Sequence, residues 1–154
     1  MEYGTIERVI EVNASPEIVF SVVSQPEHLR AWWPDEANFE RLVGAQGQFV
    51  FQHEGDSAPY VATFSIVELD APRRFSFRWV YDDGATPGPT NSLLVSFELE
   101  PHGEGTRVTM TETGFRERGW SLAELEHAYQ DHSSGWDFFL ARLAPYAETV
   151  GATR

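Results

Sequence analysis

Residues 74–81 read Arg-Phe-Ser-Phe-Arg-Trp-Val-Tyr, and their alternation decides the fold. Phe75, Phe77, Trp79 and Tyr81 fall on one side of an extended chain, with Arg74, Ser76, Arg78 and Val80 on the other. A period of two marks a strand with one buried face. Four aromatic rings on that face need a cover. The last segment supplies it: Leu122, Leu125, Tyr129, His132, Trp136, Phe139, Leu143 and Tyr146 recur alternately three and four residues apart, the stripe of one long amphipathic helix. Ser121 with Glu124 three residues on is a capping box. The pattern predicts a helix from there to about Ala147, softened at Gly135 and kinked or ended at Pro145. Strand face and helix stripe form each other's core.

Working outward, the same alternation recurs at Phe49 and Phe51, at Val95, Phe97 and Leu99, and at Val108 and Met110. Turn residues separate these runs at Gly44 to Gly47, Gly55-Asp56-Ser57, Asp70-Ala71-Pro72, Asp82 to Pro89 and Pro101 to Gly105. This spacing predicts six antiparallel strands between Phe39 and Phe115. His102-Gly103-Glu104-Gly105 is then a hairpin loop and not a nucleotide-binding fingerprint, which needs a strand-to-helix setting. At the start, Ile6, Ile10 and Val12 alternate with Glu7 and Glu11 in a further strand, Thr5 to Val12. Ser15-Pro16-Glu17 opens a short helix to about Val23, and Gln25-Pro26-Glu27 opens a second that Pro34 closes after Trp32 and Trp33. The expected class is α+β: a curved seven-stranded antiparallel sheet wrapped around a long C-terminal helix, with two short helices after the first strand.

At 154 residues the sequence is expected to form a single domain, 1–154. Hydrophobic residues make up 42% and aromatics 14%, ample for a packed core. The lack of cysteine excludes disulfides, thiolate metal sites and cysteine nucleophiles. All eleven basic residues are arginine, which excludes Schiff-base chemistry and the phosphate-gripping lysine of a P-loop. A net charge of −13 disfavours nucleic acid and anionic lipid surfaces as partners, and the cluster Arg73, Arg74, Arg78 reads as a solvated face. No apolar run approaches the roughly 18 residues of a membrane span, and no leader pattern is visible, so membrane insertion is not expected. The protein is expected to be soluble and cytoplasmic.

Four stretches carry a family resemblance: Asn13-Ala14-Ser15-Pro16-Glu17-Ile18-Val19-Phe20, Gln25-Pro26-Glu27-His28-Leu29-Arg30-Ala31-Trp32-Trp33, Thr111-Glu112-Thr113-Gly114-Phe115 and Ser134-Gly135-Trp136. With the order of elements, they make the chain similar to the bacterial family named after the activator of Hsp90 ATPase homologue. That family lies within the START-like (SRPBCC) helix-grip superfamily. The resemblance implies a helix-grip fold and often a hydrophobic cavity between sheet and helix. Superfamily members bind lipids, hormones or polyketides, and some catalyse cyclisation or dehydration. Many relatives carry histidine shortly before the Gly-Phe pair, where this chain has Glu112.

Glu112 alternates with Val108 and Met110 and so points inward, into a cavity or at its rim. It suits a general acid or base, a ligand-orienting acceptor, a solvated rim group, or the partner of an arginine such as Arg8. His132 lies in the helix stripe and His53 follows Phe49 and Phe51 at the same alternation; each is either a core group or a ligand contact. Trp32, Trp33, Phe77, Trp79, Tyr81, Tyr129 and Trp136 are the aromatic candidates to line a pocket, or simply to fill the core. His127 and Asp131 have helical spacing but no second cluster, so no metal site is expected, and Ser133-Ser134 lacks the setting of a nucleophile elbow. The leading expectation is a binder of a small hydrophobic ligand with no cofactor. The alternatives are a small cyclase or lyase acting on an aromatic or polyketide-like substrate through Glu112 and a histidine or tyrosine, and a chaperone-linked domain with a protein partner.

Overall fold

The computed structural model describes residues 4–51, 60–80 and 91–152. The elements run β1 (Thr5–Val12), α1 (Pro16–Ser24), α2 (Pro26–Trp32), β2 (Glu36–Asn38), β3 (Gln46–Phe51), β4 (Tyr60–Asp70), β5 (Arg74–Val80), β6 (Leu93–His102), β7 (Gly105–Thr113), a 3-10 turn (Arg116–Arg118) and α3 (Leu122–Ala152). One seven-stranded sheet has the order β1-β7-β6-β5-β4-β3-β2, antiparallel throughout. This is the expected α+β helix-grip architecture. The first of the six later strands starts at Glu36, earlier than the alternation from Phe39 suggests, because Ala37 buries itself opposite Phe49 in a strand of three residues.

Local chemistry sets the helix ends. The Ser15 hydroxyl accepts the Ile18 N–H at 3.3 Å and Pro16 occupies the first turn, so α1 begins where its orphan donors are met. Gln25 closes α1 through its N–H to the Ser21 carbonyl and opens α2. The Trp32 indole donates to the Val22 carbonyl at 3.0 Å and locks the two helices together. Trp33 follows at the end of α2, where Pro34 forbids another turn and turns the ring into the core.

The reciprocal capping box is present at the start of α3: Ser121 N–H donates to Glu124 at 3.1 Å, and Glu124 N–H donates to the Ser121 hydroxyl at 3.2 Å. The helix then passes through Pro145 and continues to Ala152, beyond the expected end at Ala147. Its last turns are held by tertiary packing: Ala147 is buried, and Gly151 lies against the side chains of Ile18 and Ala14. That packing offsets the hydrogen bond a proline cannot make. The buried face also drifts. Leu122, expected in the stripe, is 72% exposed, whereas Leu140 and Ala147 join Leu125, Trp136 and Leu143 inside. A helix of 3.6 residues per turn rotates about 20° per heptad past a three-four spacing, so one stripe cannot stay buried over 31 residues.

Gly47 in β3 shows how tightly β2 and the following loop press on the sheet. A β-carbon there would stand 2.5 Å from Phe39 Cβ, 2.6 Å from the Asn38 carbonyl and 2.7 Å from Phe64 Cζ. Gly47→Ala is therefore expected to lower unfolding free energy by about 1–3 kcal/mol, the usual range for overpacking, as measured by urea denaturation.

Candidate functional site

Register brings Glu112, the next-to-last residue of β7, to the inner face between Ile6 of β1 and Val95 of β6. It is 0% exposed. An isolated carboxylate could not stay ionised among such neighbours, and three donors converge on it. Trp79 of β5 donates its indole N–H to Oε2 at 2.8 Å, and Trp136 of α3 donates its own to Oε1 at 2.8 Å. His132, one turn before Trp136, places Nδ1 at 3.0 Å from both oxygens. An ionised carboxylate can only accept, so Nδ1 carries the hydrogen. Burial opposes a charge on the His132 ring, but the Glu112 carboxylate outweighs it by charge and hydrogen bond, with Asp131 adding and Arg118 subtracting. The result is a pKa above the ordinary imidazole value. Of the alternatives for Glu112, the pair with Arg8 is not formed: Arg8 pairs with Asp137 of α3, Nε to Oδ1 at 2.7 Å, at the protein surface.

Beside this cluster lies a recess of about 170 Å³. Trp33, Phe51, Trp79, Trp136 and Phe139 wall it; His132 and Asp131 form its polar edge, and Gly135 of α3 leaves bare helix backbone between them. Ring contacts set the walls: the Trp33 ring stands 5.4 Å from Trp79 and 5.1 Å from Trp136, centroid to centroid. Behind them, Phe49 stacks on Phe64 at 4.1 Å and Phe77 meets Trp79 edge-on at 5.6 Å. Much of the volume between sheet and helix is thus filled by rings.

The candidates from the sequence divide accordingly. Trp33, Trp79, His132 and Trp136 meet at the recess, and Glu112 lies one layer behind them. Phe77 packs in the same rear layer, 6.0 Å from Trp33. Trp32 faces away, toward Val22 and Phe97. Tyr129 donates its hydroxyl to the Thr5 carbonyl at 2.9 Å, fastening α3 to the β1 edge. His53 and Tyr81 lie outside the described residues. Phe51, Phe139, Asp131 and Gly135 line the recess without having been singled out for it. The sequence signal for Gly135 was present, since glycine in a helix interior is unfavourable unless something needs the space.

The curved sheet around one long helix defines a helix-grip protein, and the sequence profile described as "Activator of Hsp90 ATPase homolog 1-like protein" matches residues 13–148. The chain belongs to that family, whose fold is commonly used for ligand binding. Among solved structures it is similar to protein MLL2253 from Mesorhizobium loti, with 19% identity, 94% of this chain and 97% of that chain covered, and a TM-score of 0.73. A protein from Arthrobacter aurescens is similar at 20% identity, covering 96% of this chain and 88% of that one with a TM-score of 0.75. Protein CV1439 from Chromobacterium violaceum shares 22% identity over 94% and 97% of the two chains, with a TM-score of 0.72. These likenesses concern the fold. No curated protein matches the sequence. Among the described residues, no helix is long and apolar enough to cross a membrane.

Glu112→Gln is expected to destabilise the protein by about 3–5 kcal/mol, because an amide turns N–H donors toward donors and leaves His132 without its counter-charge. At roughly 2–4 °C per kcal/mol the melting temperature should fall by more than 6 °C, measured by circular dichroism. The same pair sets a pH dependence. The folded His132 pKa is raised, so the stabilisation it brings is complete below the unfolded value of about 6.5 and is lost as pH rises through the higher folded value. Unfolding free energy of the wild type should decline over that window, and the decline should be absent in His132→Gln.

Proposed function

We propose that the protein binds a small apolar ligand, about the size of one aromatic ring, in the recess between β5, α2 and α3. The observation that carries this reading is Gly135. A glycine inside a helix costs about 1 kcal/mol relative to alanine. A β-carbon added at Gly135 would meet nothing within 4 Å, so no neighbouring protein atom requires its absence. Space kept open against bare backbone, opposite three indoles, suits a ring lying on the helix. The volume limits the class. About 170 Å³ resembles the roughly 150 Å³ engineered cavity that accepts benzene, and it is too small to enclose a sterol or a fatty-acid chain.

Acid–base catalysis is supported by one feature, the carboxylate–imidazole pair beside the recess. Both Glu112 oxygens already accept from indoles, so in such a reaction His132 would exchange the proton and Glu112 would position it.

Tryptophan fluorescence, with Trp33, Trp79 and Trp136 at the site, is the direct readout. Toluene is expected to change it saturably at one molecule per chain. Gly135→Leu, which sends an isobutyl group into the recess, should abolish that change, while Gly135→Ala should raise stability by about 0.5–1 kcal/mol. Equal toluene binding by the wild type and Gly135→Leu would rule the recess out.

A further inference from the structure

Two titratable side chains line the recess, and the protein uses only one of them. His132 is matched by Glu112 at 3.0 Å, so that pair adds no net charge to the edge. Asp131 differs. It is exposed at the same edge and makes no hydrogen bond or ion pair among the described residues, acting on His132 through space alone. The helix offers it no cation three or four residues on, where Ser134 and Gly135 stand. The next acid of α3, Asp137, is by contrast taken by Arg8. The stretches 52–59 and 81–90, outside the described residues, contain no arginine or lysine that could serve.

A lone exposed carboxylate is ordinarily a solvated surface group, and its position is what gives this one a meaning. Gly135, the bare backbone of the recess, follows one turn later on the same helix, roughly 6 Å along the axis. A ring lying on Gly135 therefore has a single uncompensated charge within reach of a short substituent, and that charge is negative. An anionic substituent would meet Asp131 on a chain of net charge −13. A cationic one is attracted by both, and at the exposed mouth it keeps much of its water, so the cost of burying an ion does not arise. Arg118, the guanidinium felt at His132, does not line the recess and lies over the Trp120 ring at 4.7 Å.

We infer that the recess selects a ring that carries a short cationic arm, an arylalkylammonium, with the ring against Gly135 and the ammonium at the mouth beside Asp131. This rests on the ring-binding reading above and names the class of ligand for the same site.

Benzylammonium, which is toluene with an ammonium in place of one methyl hydrogen, is the probe. Benzyl alcohol is its neutral counterpart and phenylacetate its anionic one, and tryptophan fluorescence follows all three at low salt. Benzylammonium should bind about fivefold more tightly than benzyl alcohol, the upper worth of an exposed ion pair, and phenylacetate more weakly than either. The preference should shrink in about 1 M salt, where charges are screened beyond roughly 3 Å. Asp131→Asn should lower benzylammonium to the affinity of the alcohol, and Asp131→Glu should retain the preference. Benzyl alcohol should bind both variants as it binds the wild type, which shows the recess intact. If the alcohol binds the wild type as tightly as benzylammonium, or if the preference survives Asp131→Asn or high salt undiminished, the cationic arm is overturned and ring binding stands. Equal benzylammonium binding by Gly135→Leu would put the cation elsewhere on the acidic surface and overturn it as well. If none of the three compounds nor toluene binds the wild type, ring binding itself falls, and this inference with it.

Discussion

The structure depends on one buried carboxylate. Glu112 is fully buried on an apolar face, and the groups that make its burial tolerable come from two other elements, the indole of β5 and the indole and imidazole of α3. A charge in that position gives the interface a specificity that hydrophobic packing lacks. Greasy surfaces slide over one another at small cost, but two indole hydrogens and an imidazole meet one carboxylate in a single rotation and translation of the helix. The recess is a by-product of that registration, because Trp79, His132 and Trp136 have their polar atoms drawn toward Glu112 and their remaining ring surfaces line the space in front.

The architecture was legible because each face obeyed one period. Strand alternation at Phe75, Phe77 and Trp79 and the spacing in α3 identified two surfaces that needed each other, and Gly103 with Gly105 marked the β6–β7 hairpin. The helix beyond Pro145 was not legible, since its stability comes from Ala14 and Ile18, more than a hundred residues away in sequence. The inward direction of Glu112 could be read from its parity with Val108 and Met110. Its partners could not. Tryptophan reads as bulk in a pattern, and nothing in a linear sequence says which indole hydrogen will meet which oxygen. For the same reason Arg8, with suitable charge and parity, was an attractive partner that the register directs to Asp137.

Crowding and openness coexist within a few ångströms here. Phe49, Phe64 and Phe77 are packed ring on ring, whereas the neighbouring stretch of α3 exposes backbone at Gly135. A rigid rear wall with a bare front suits a preorganised site, in which little side-chain freedom is left to be lost when a ligand arrives. The small volume and the polar edge restrict the proposed site more narrowly than the fold does, since one fold accommodates many chemistries.

The sheet order carries a last consequence, for the time course of folding. The first strand pairs with the last, Thr5 opposite Thr113, and the final turn of α3 returns to Ala14 and Ile18 at the start of α1. Emerging from a ribosome, β1 and the inner faces of β3 to β6 must therefore wait uncovered until α3, the long element that follows the sheet in sequence, has been made. Long-range closure of this kind slows folding and leaves aromatic strand faces open to other chains in the interval. A nascent chain with so many unshielded rings gains from its acidity, because the strong net negative charge keeps unfinished copies apart until the helix arrives.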